Sequence, residues 1–134
     1  MLAAAAVLVV VSAPAAYADN SRLNNSVIAN VYTIQHQAGC NTNIKRDRAL
    51  NGNVGSDGST PQDRSAAAGF KGKVAETVAI NPALAINNLD ILNQWYYDPV
   101  DFGIMSDCAN TVIGVWSENS LDRSVVVAVF GQPA

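Results

Sequence analysis

A chain of 134 residues has the length for one domain around one core once a leader is set aside. Lys and Arg number 8 against 11 Asp and Glu, a net charge of −3, and only Lys45, Arg46 and Arg48 cluster among the basic residues. That balance argues against a nucleic-acid partner, which asks for a basic face, and reads the short cluster as a solvated loop.

Residues 1–18 form an apolar run ending in Ala16-Tyr17-Ala18. Small residues at the first and third positions before a cut suit signal peptidase, so 1–18 is expected to be a signal peptide and 19–134 the mature domain. The run is short for a membrane span and Pro14 interrupts it. No Lys or Arg precedes its apolar core, which leaves the true start codon open. No later stretch is long and apolar enough to cross a membrane, so the product is expected to be secreted or associated with the cell envelope.

Leu23, Val27, Val31 and Ile34 recur at steps of three and four, which predicts a helix over 23–37 ended by Gly39. His36, the only histidine, sits near its C-terminus, where a cation is favoured, and reads as a surface or half-buried residue. The segment 44–52 is too short to bury much. Asn51-Gly52-Asn53 and Ser56-Asp57-Gly58-Ser59 are turn signals, with Asp57 suited to a tight turn before glycine. Thr60 caps a second helix, Pro61 suits its first position, Asp63 favours its positive end, and Gly69 stops it. Residues 73–80 alternate as a strand, with Val74, Glu76 and Val78 on one face. An acid in such a strand is costly to bury and asks for a partner or a purpose. Asn81-Pro82 is expected to open a third helix running to Asp98, with Ala85, Leu89, Leu92 and Tyr96 on one stripe and Leu84, Ile91 and Trp95 widening it. Pro99 is expected to end it, leaving 102–108 as irregular chain or a short helical turn. Two β-branched runs, 111–117 and 124–131, joined by a polar link, make an antiparallel hairpin. The fold class is therefore α+β, with helices packed on an antiparallel sheet.

Two cysteines, Cys40 and Cys108, read as a disulfide in an exported chain. It would close a loop of 68 residues, with about 4 kcal/mol of stabilisation in the chain-entropy account. Two free thiols or an intermolecular bond are the alternatives. Two cysteines and one histidine do not make a zinc set.

Three separated blocks then line up: Gly55-Ser56-Asp57-Gly58-Ser59-Thr60-Pro61 with Arg64, Ala67-Ala68-Gly69-Phe70, and Ala75-Glu76-Thr77-Val78-Ala79. Together they resemble bacterial members of the CAP superfamily, the group of cysteine-rich secretory proteins, antigen 5 and pathogenesis-related 1 proteins, also called the SCP domain. The family pattern is close to H-x-G-S-D-G-S-x-P-x-x-R, then A-A-G-Y, then A-E-N-x-A. Leu92-Asn93-Gln94-Trp95-Tyr96 is similar to the family's tryptophan-bearing helix, and Asn110-Thr111-Val112-Ile113-Gly114-Val115 to its N-x-x-x-V-G-V strand. The order of pieces matches small exported actinobacterial members over most of the mature chain. The resemblance implies an α-β-α sandwich.

The family's metal-capable cavity uses two histidines and two acids. Asn53 stands in place of the first histidine, and Val100-Asp101-Phe102-Gly103-Ile104 lacks the second. Glu76 matches the first acid, and Asp98 is a loose candidate for the second. The resemblance thus implies no metal and no cofactor, since neutral imidazole is the ligand such a centre needs. The chain is also about 15–20 residues short between Leu50 and Asn53, a full helix of the family fold. The shortfall implies that neighbours collapse inward or that one layer exposes apolar surface and the domain is weakened.

No G-x-S-x-G accompanies Ser56 or Ser59, and the Gly-Ser-Asp-Gly turn lacks a phosphate loop's G-K-[ST] ending. Glu76 reads either as a cavity acid or as a structural acid paired with Arg64, a lysine or backbone amides. Arg64 is expected to tie the 56–59 loop to its helix. Trp95 reads as core, and Tyr97 as a residue that lines a groove. The expected function is a monomeric, non-enzymatic binding module for a lipid or cell-envelope ligand, with Asn53, Asp57, Glu76 and Tyr97 as ligand-binding candidates. The alternatives are a hydrolase joining Glu76 to Asp98 or Glu118, and a degenerate family member with little retained activity.

Overall fold

The computed structural model describes residues 21–51, 60–82, 87–119 and 122–134. Helix α1 covers 21–37. Its end is a Schellman motif: Gly39 takes φ 91°, its N–H donates to the His36 carbonyl, and the Cys40 N–H donates to the Gln35 carbonyl. Helix α2, Pro61–Ala67, starts as the sequence predicts, with the Thr60 side chain accepting from the Asp63 N–H. It closes in a second Schellman motif at Gly69, φ 96°, which turns Phe70 inward.

The sheet is β1 (Lys45–Arg46), β2 (Gly72–Pro82), β3 (Val112–Asn119) and β4 (Arg123–Pro133), in the spatial order β1-β3-β4-β2. Strand β4 runs antiparallel to both β2 and β3, the latter pair being the expected hairpin. Strand β1 adds a short parallel edge, so the sheet is mixed rather than wholly antiparallel. Because β4 is central, both its faces are covered and it reads as an unbroken apolar run. Val126, Ala128 and Phe130 face one way, packing with Val27, Val31 and Ile34 of α1 and with Ile91, Trp95 and Met105. Val125, Val127 and Val129 face the other way, with Leu50 and Phe70. The result is a three-layer α+β sandwich.

Several local expectations change. The segment 44–52 buries Ile44 and Leu50, one on each face of the sheet, by way of β1 and a 3₁₀ turn over Arg48–Leu50 that Asp47 caps. Strand β2 continues through Asn81-Pro82, which do not open a helix. Asn81 is buried there, accepting from Gln94 Nε2, and Pro82 is tolerated because an edge strand leaves its N side unpaired. The third helix, α3, is Asn88–Tyr96, capped by Asn87; Leu84 and Ala85 lie outside the described residues. Pro99 begins a helix instead of merely ending one. Asp98 accepts from the Val100 and Asp101 amides and caps α4, Pro99–Ser106. This is the same Ncap-then-Pro logic that starts α2.

On the α2 side of the sheet, Leu50 lies directly over Gly114: a Cβ there would sit 1.9 Å from the Leu50 carbonyl oxygen. Gly131 leaves room beside it for the Leu50 and Phe70 side chains. The turn that carries Leu50 is thus seated directly on the sheet at that end. Farther along the same face, Val78 and Ile80 remain 41% and 53% exposed.

Cys40 and Cys108 form the expected disulfide, with Cα atoms 5.2 Å apart, tying the end of α1 to the loop after α4. Gln35 Nε2 reinforces this corner by donating to the Asn110 carbonyl at 2.8 Å, and Asn110 Nδ2 donates to the Ile104 carbonyl at 2.8 Å.

Candidate functional site

Asn53 and Asp57 lie outside the described residues, as do Ser56 and Ser59 and hence the expected tie between Arg64 and the 56–59 loop. Glu76 lies on β2, opposite Val129 of β4, which fixes its side chain on the α2 face. There its carboxylate accepts from Arg64 Nη2 at 2.9 Å, both side chains being about one-fifth exposed. The acid that the strand pattern singled out has a partner one layer away.

The two proposed companions of Glu76 stand elsewhere. Glu118 opposes Val125 on β3, so it lies four residues farther along β4 and two strands across. Strand dimensions put the two Cα atoms about 16 Å apart, well beyond the roughly 5–9.5 Å between carboxyls that serve one glycosidic bond. Asp98 belongs to the helical layer on the opposite face and is occupied in capping α4. Its neighbour Asp101 has a carboxyl held above its ordinary value by burial and, to a lesser degree, by Asp98. The first turn of α4 works against that shift by favouring the ionised form.

Tyr97 ends α3 and is 78% exposed. Tyr96 holds this corner together, with edge-on contacts to both Tyr97 and Phe102 at 5.2 Å between ring centroids. Next to it, Val100 projects from the first turn of α4 and is 71% exposed. Val100 also opens a groove of about 370 Å³ between α4 and the start of β2. Pro99, Val100, Gly103 and Ile104 form its helical wall, Lys73, Val74 and Ala75 its strand wall, and Asp107, Asn110 and Gln132 its polar end. No single-sequence signal marked this groove, because its helical wall begins at a proline that reads as a stop.

Other spaces are less suited to a ligand. A void of about 10 Å³ under Trp95, between α1, α3 and Met105, admits one water at most. The rings of His36 and Tyr32 lie 4.1 Å apart between centroids on the exposed end of α1. Among the described residues no cluster of three or more His, Cys, Asp or Glu could hold a metal ion. No helix among them is long and apolar enough to cross a membrane.

No family model matches the chain, and no curated protein matches it. Solved structures do. An outer surface protein from Borrelia burgdorferi superposes with a TM-score of 0.65 at 15% identity, over 80% of this chain and 90% of that one. A cysteine-rich secretory protein from Staphylococcus aureus superposes with a TM-score of 0.62 at 10% identity, over 84% of this chain. This chain spans 39% of the staphylococcal protein's length. At such identities the likeness is one of fold alone, a CAP-like α+β fold.

Proposed function

We propose that this is an exported, divergent CAP-domain protein that binds a lipid or cell-envelope ligand and performs no chemistry on it. Its fold supports the family reading, together with the ordered motif blocks around Gly55–Arg64, Ala67–Phe70 and Ala75–Ala79. The disulfide supports an oxidising, extracellular setting. The groove between α4 and β2 carries the binding reading. Its volume falls within the usual range for small-ligand sites, with an apolar wall and a few polar groups at one end. Lys73, exposed on the strand wall and without an ion pair among the described residues, suits an anionic headgroup; Val100 and Ile104 suit an acyl chain. Tyr97, exposed two residues before Pro99 of the helical wall, offers an amphipathic ring suited to a boundary between water and lipid.

The test is a sedimentation assay with vesicles of phosphatidylglycerol and phosphatidylcholine and with purified peptidoglycan sacculi. Binding to either class is expected, weakened about tenfold by Val100→Asp, a loss of about 1.4 kcal/mol. Failure to bind any member of the panel, together with hydrolysis of a substrate, would refute the proposal.

A further inference from the structure

A different surface, the outer edge of β2, points to a second copy of the chain. Among the described residues, strand β2 ends the sheet. Its even-numbered residues direct their N–H and C=O groups outward, as two bonds from Gln62 reveal. Gln62 Nε2 donates to the Gly72 carbonyl at 2.8 Å, and Gln62 Oε1 accepts from the Val74 N–H at 3.1 Å. One side chain thus takes the place of a neighbouring peptide group and closes the first part of the edge. From Glu76 to Ile80 no described side chain does so. Among the described residues, no group bonds the outward amides of Glu76, Val78 and Ile80. Unblunted edges of this kind are templates for strand addition.

We infer that this open edge pairs with itself, Glu76–Ile80 of one copy running antiparallel to Glu76–Ile80 of another about a two-fold axis at Val78. An isologous pairing must be self-complementary, and the sequence restricts its centre. Centred on Glu76, it would set two like charges directly opposite one another. Centred on Ile80, it would set Pro82, which has no N–H, against Val78. Centred on Val78, it sets Glu76 beside Ile80 at both ends, and every outward group of the three residues gains a partner. Glu76 carries its own countercharge in Arg64, so no bare carboxylate approaches the partner. Val78 and Ile80, exposed in the single chain, then meet their counterparts across the axis on the α2 face. On the other face the opposed residues are Thr77 and Ala79, small enough for close approach. Gln62 ends the pairing at both sides. A five-residue seam is below the area of permanent dimers, so the association is weak and reversible.

Sedimentation equilibrium from roughly 10 µM to 1 mM protein reads it directly, the range in which small interfaces populate dimers. The average mass is expected to rise toward twice the monomer value, with slowed amide exchange at Glu76, Val78 and Ile80. Val78→Lys and Val78→Glu each place like charges across the axis, so each variant alone is expected to stay monomeric. Their equimolar mixture is expected to dimerise, because one of each brings opposite charges together. A wild-type chain that stays monomeric throughout overturns the inference. So does a dimer that survives in either variant alone, or a mixture of the two that remains monomeric while both keep the wild-type circular dichroism spectrum.

Discussion

Replacing Gly114 with alanine isolates the feature that seats Leu50 on the second face of the sheet. The new Cβ would lie 1.9 Å from the Leu50 carbonyl oxygen and 2.4 Å from the Asn51 nitrogen, both backbone atoms that no rotamer change can move. Ordinary contact begins near 3.4 Å, so the turn must recede by about 1.5 Å from a densely packed sheet. Leu50 is fully buried at the centre of that layer, and lifting it opens the space it fills beside Phe70 and Val127. Overpacking costs about 1–3 kcal/mol and unseating a core leucine about 2–5 kcal/mol, while alanine returns about 0.4–1 kcal/mol through the unfolded chain. A net loss of at least about 2 kcal/mol is expected, read as a fall in the urea midpoint at unchanged slope. Gly103→Ala is the matched control. It makes the same chemical change inside α4, where nothing lies within 4 Å, and is expected to stabilise by about 0.5–1 kcal/mol. If Gly114→Ala falls within about 0.5 kcal/mol of wild type, the seating of Leu50 on the sheet is wrong.

Reducing the disulfide, or the paired change of Cys40 and Cys108 to serine, is expected to cost about 2–4 kcal/mol, visible as a lower thermal midpoint in the reduced state. An unchanged midpoint would mean that the α1 corner is held without it. Glu76→Gln is expected to destabilise by about 1 kcal/mol by breaking the partly buried pair with Arg64, with an Arg64 double-mutant cycle recovering most of that figure. Vesicle or sacculus binding is expected to be unaffected by it, since Glu76 and the α4 groove lie on different faces. Asp101→Asn is expected to raise stability near neutral pH. The folded state of the wild type holds this proton more tightly than the unfolded chain, so its deficit shrinks as pH falls through the raised value and is gone below the ordinary one. Urea midpoints of both proteins between pH 3 and 8 check the sign, and a gap that widens on acidification would reverse it.

The sequence resolves the features whose causes are local. Thr60-Pro61 and the glycines at 39 and 69 set helix ends through capping and left-handed backbone, and those contacts lie within a few residues. The 3.6-residue spacing of Val27, Val31 and Ile34 and the β-branched runs around 112–131 are legible for the same reason. What escaped notice depends on distant partners. Leu50 is buried because Gly114 and Gly131 vacate space more than sixty residues later, and Lys45-Arg46 form a strand only because β3 offers an edge. Asn81-Pro82 satisfies a helix start and a strand end equally well, and the choice falls to Gln94. Asp98-Pro99 shows both roles of proline at once, ending α3 and starting α4, so the groove behind it stayed hidden. For Glu76 the sequence supplied the question and both answers; packing supplied Arg64.

Amide chemical-shift mapping during titration with phosphatidylglycerol vesicles or soluble peptidoglycan fragments goes to the heart of the binding proposal. Shifts are expected to concentrate at Lys73, Tyr97, Val100, Gly103 and Gln132, with Glu76 and the α2 face quiet. A response centred on Glu76 and Arg64, with the α4 groove silent, would place the ligand on the opposite layer and contradict it.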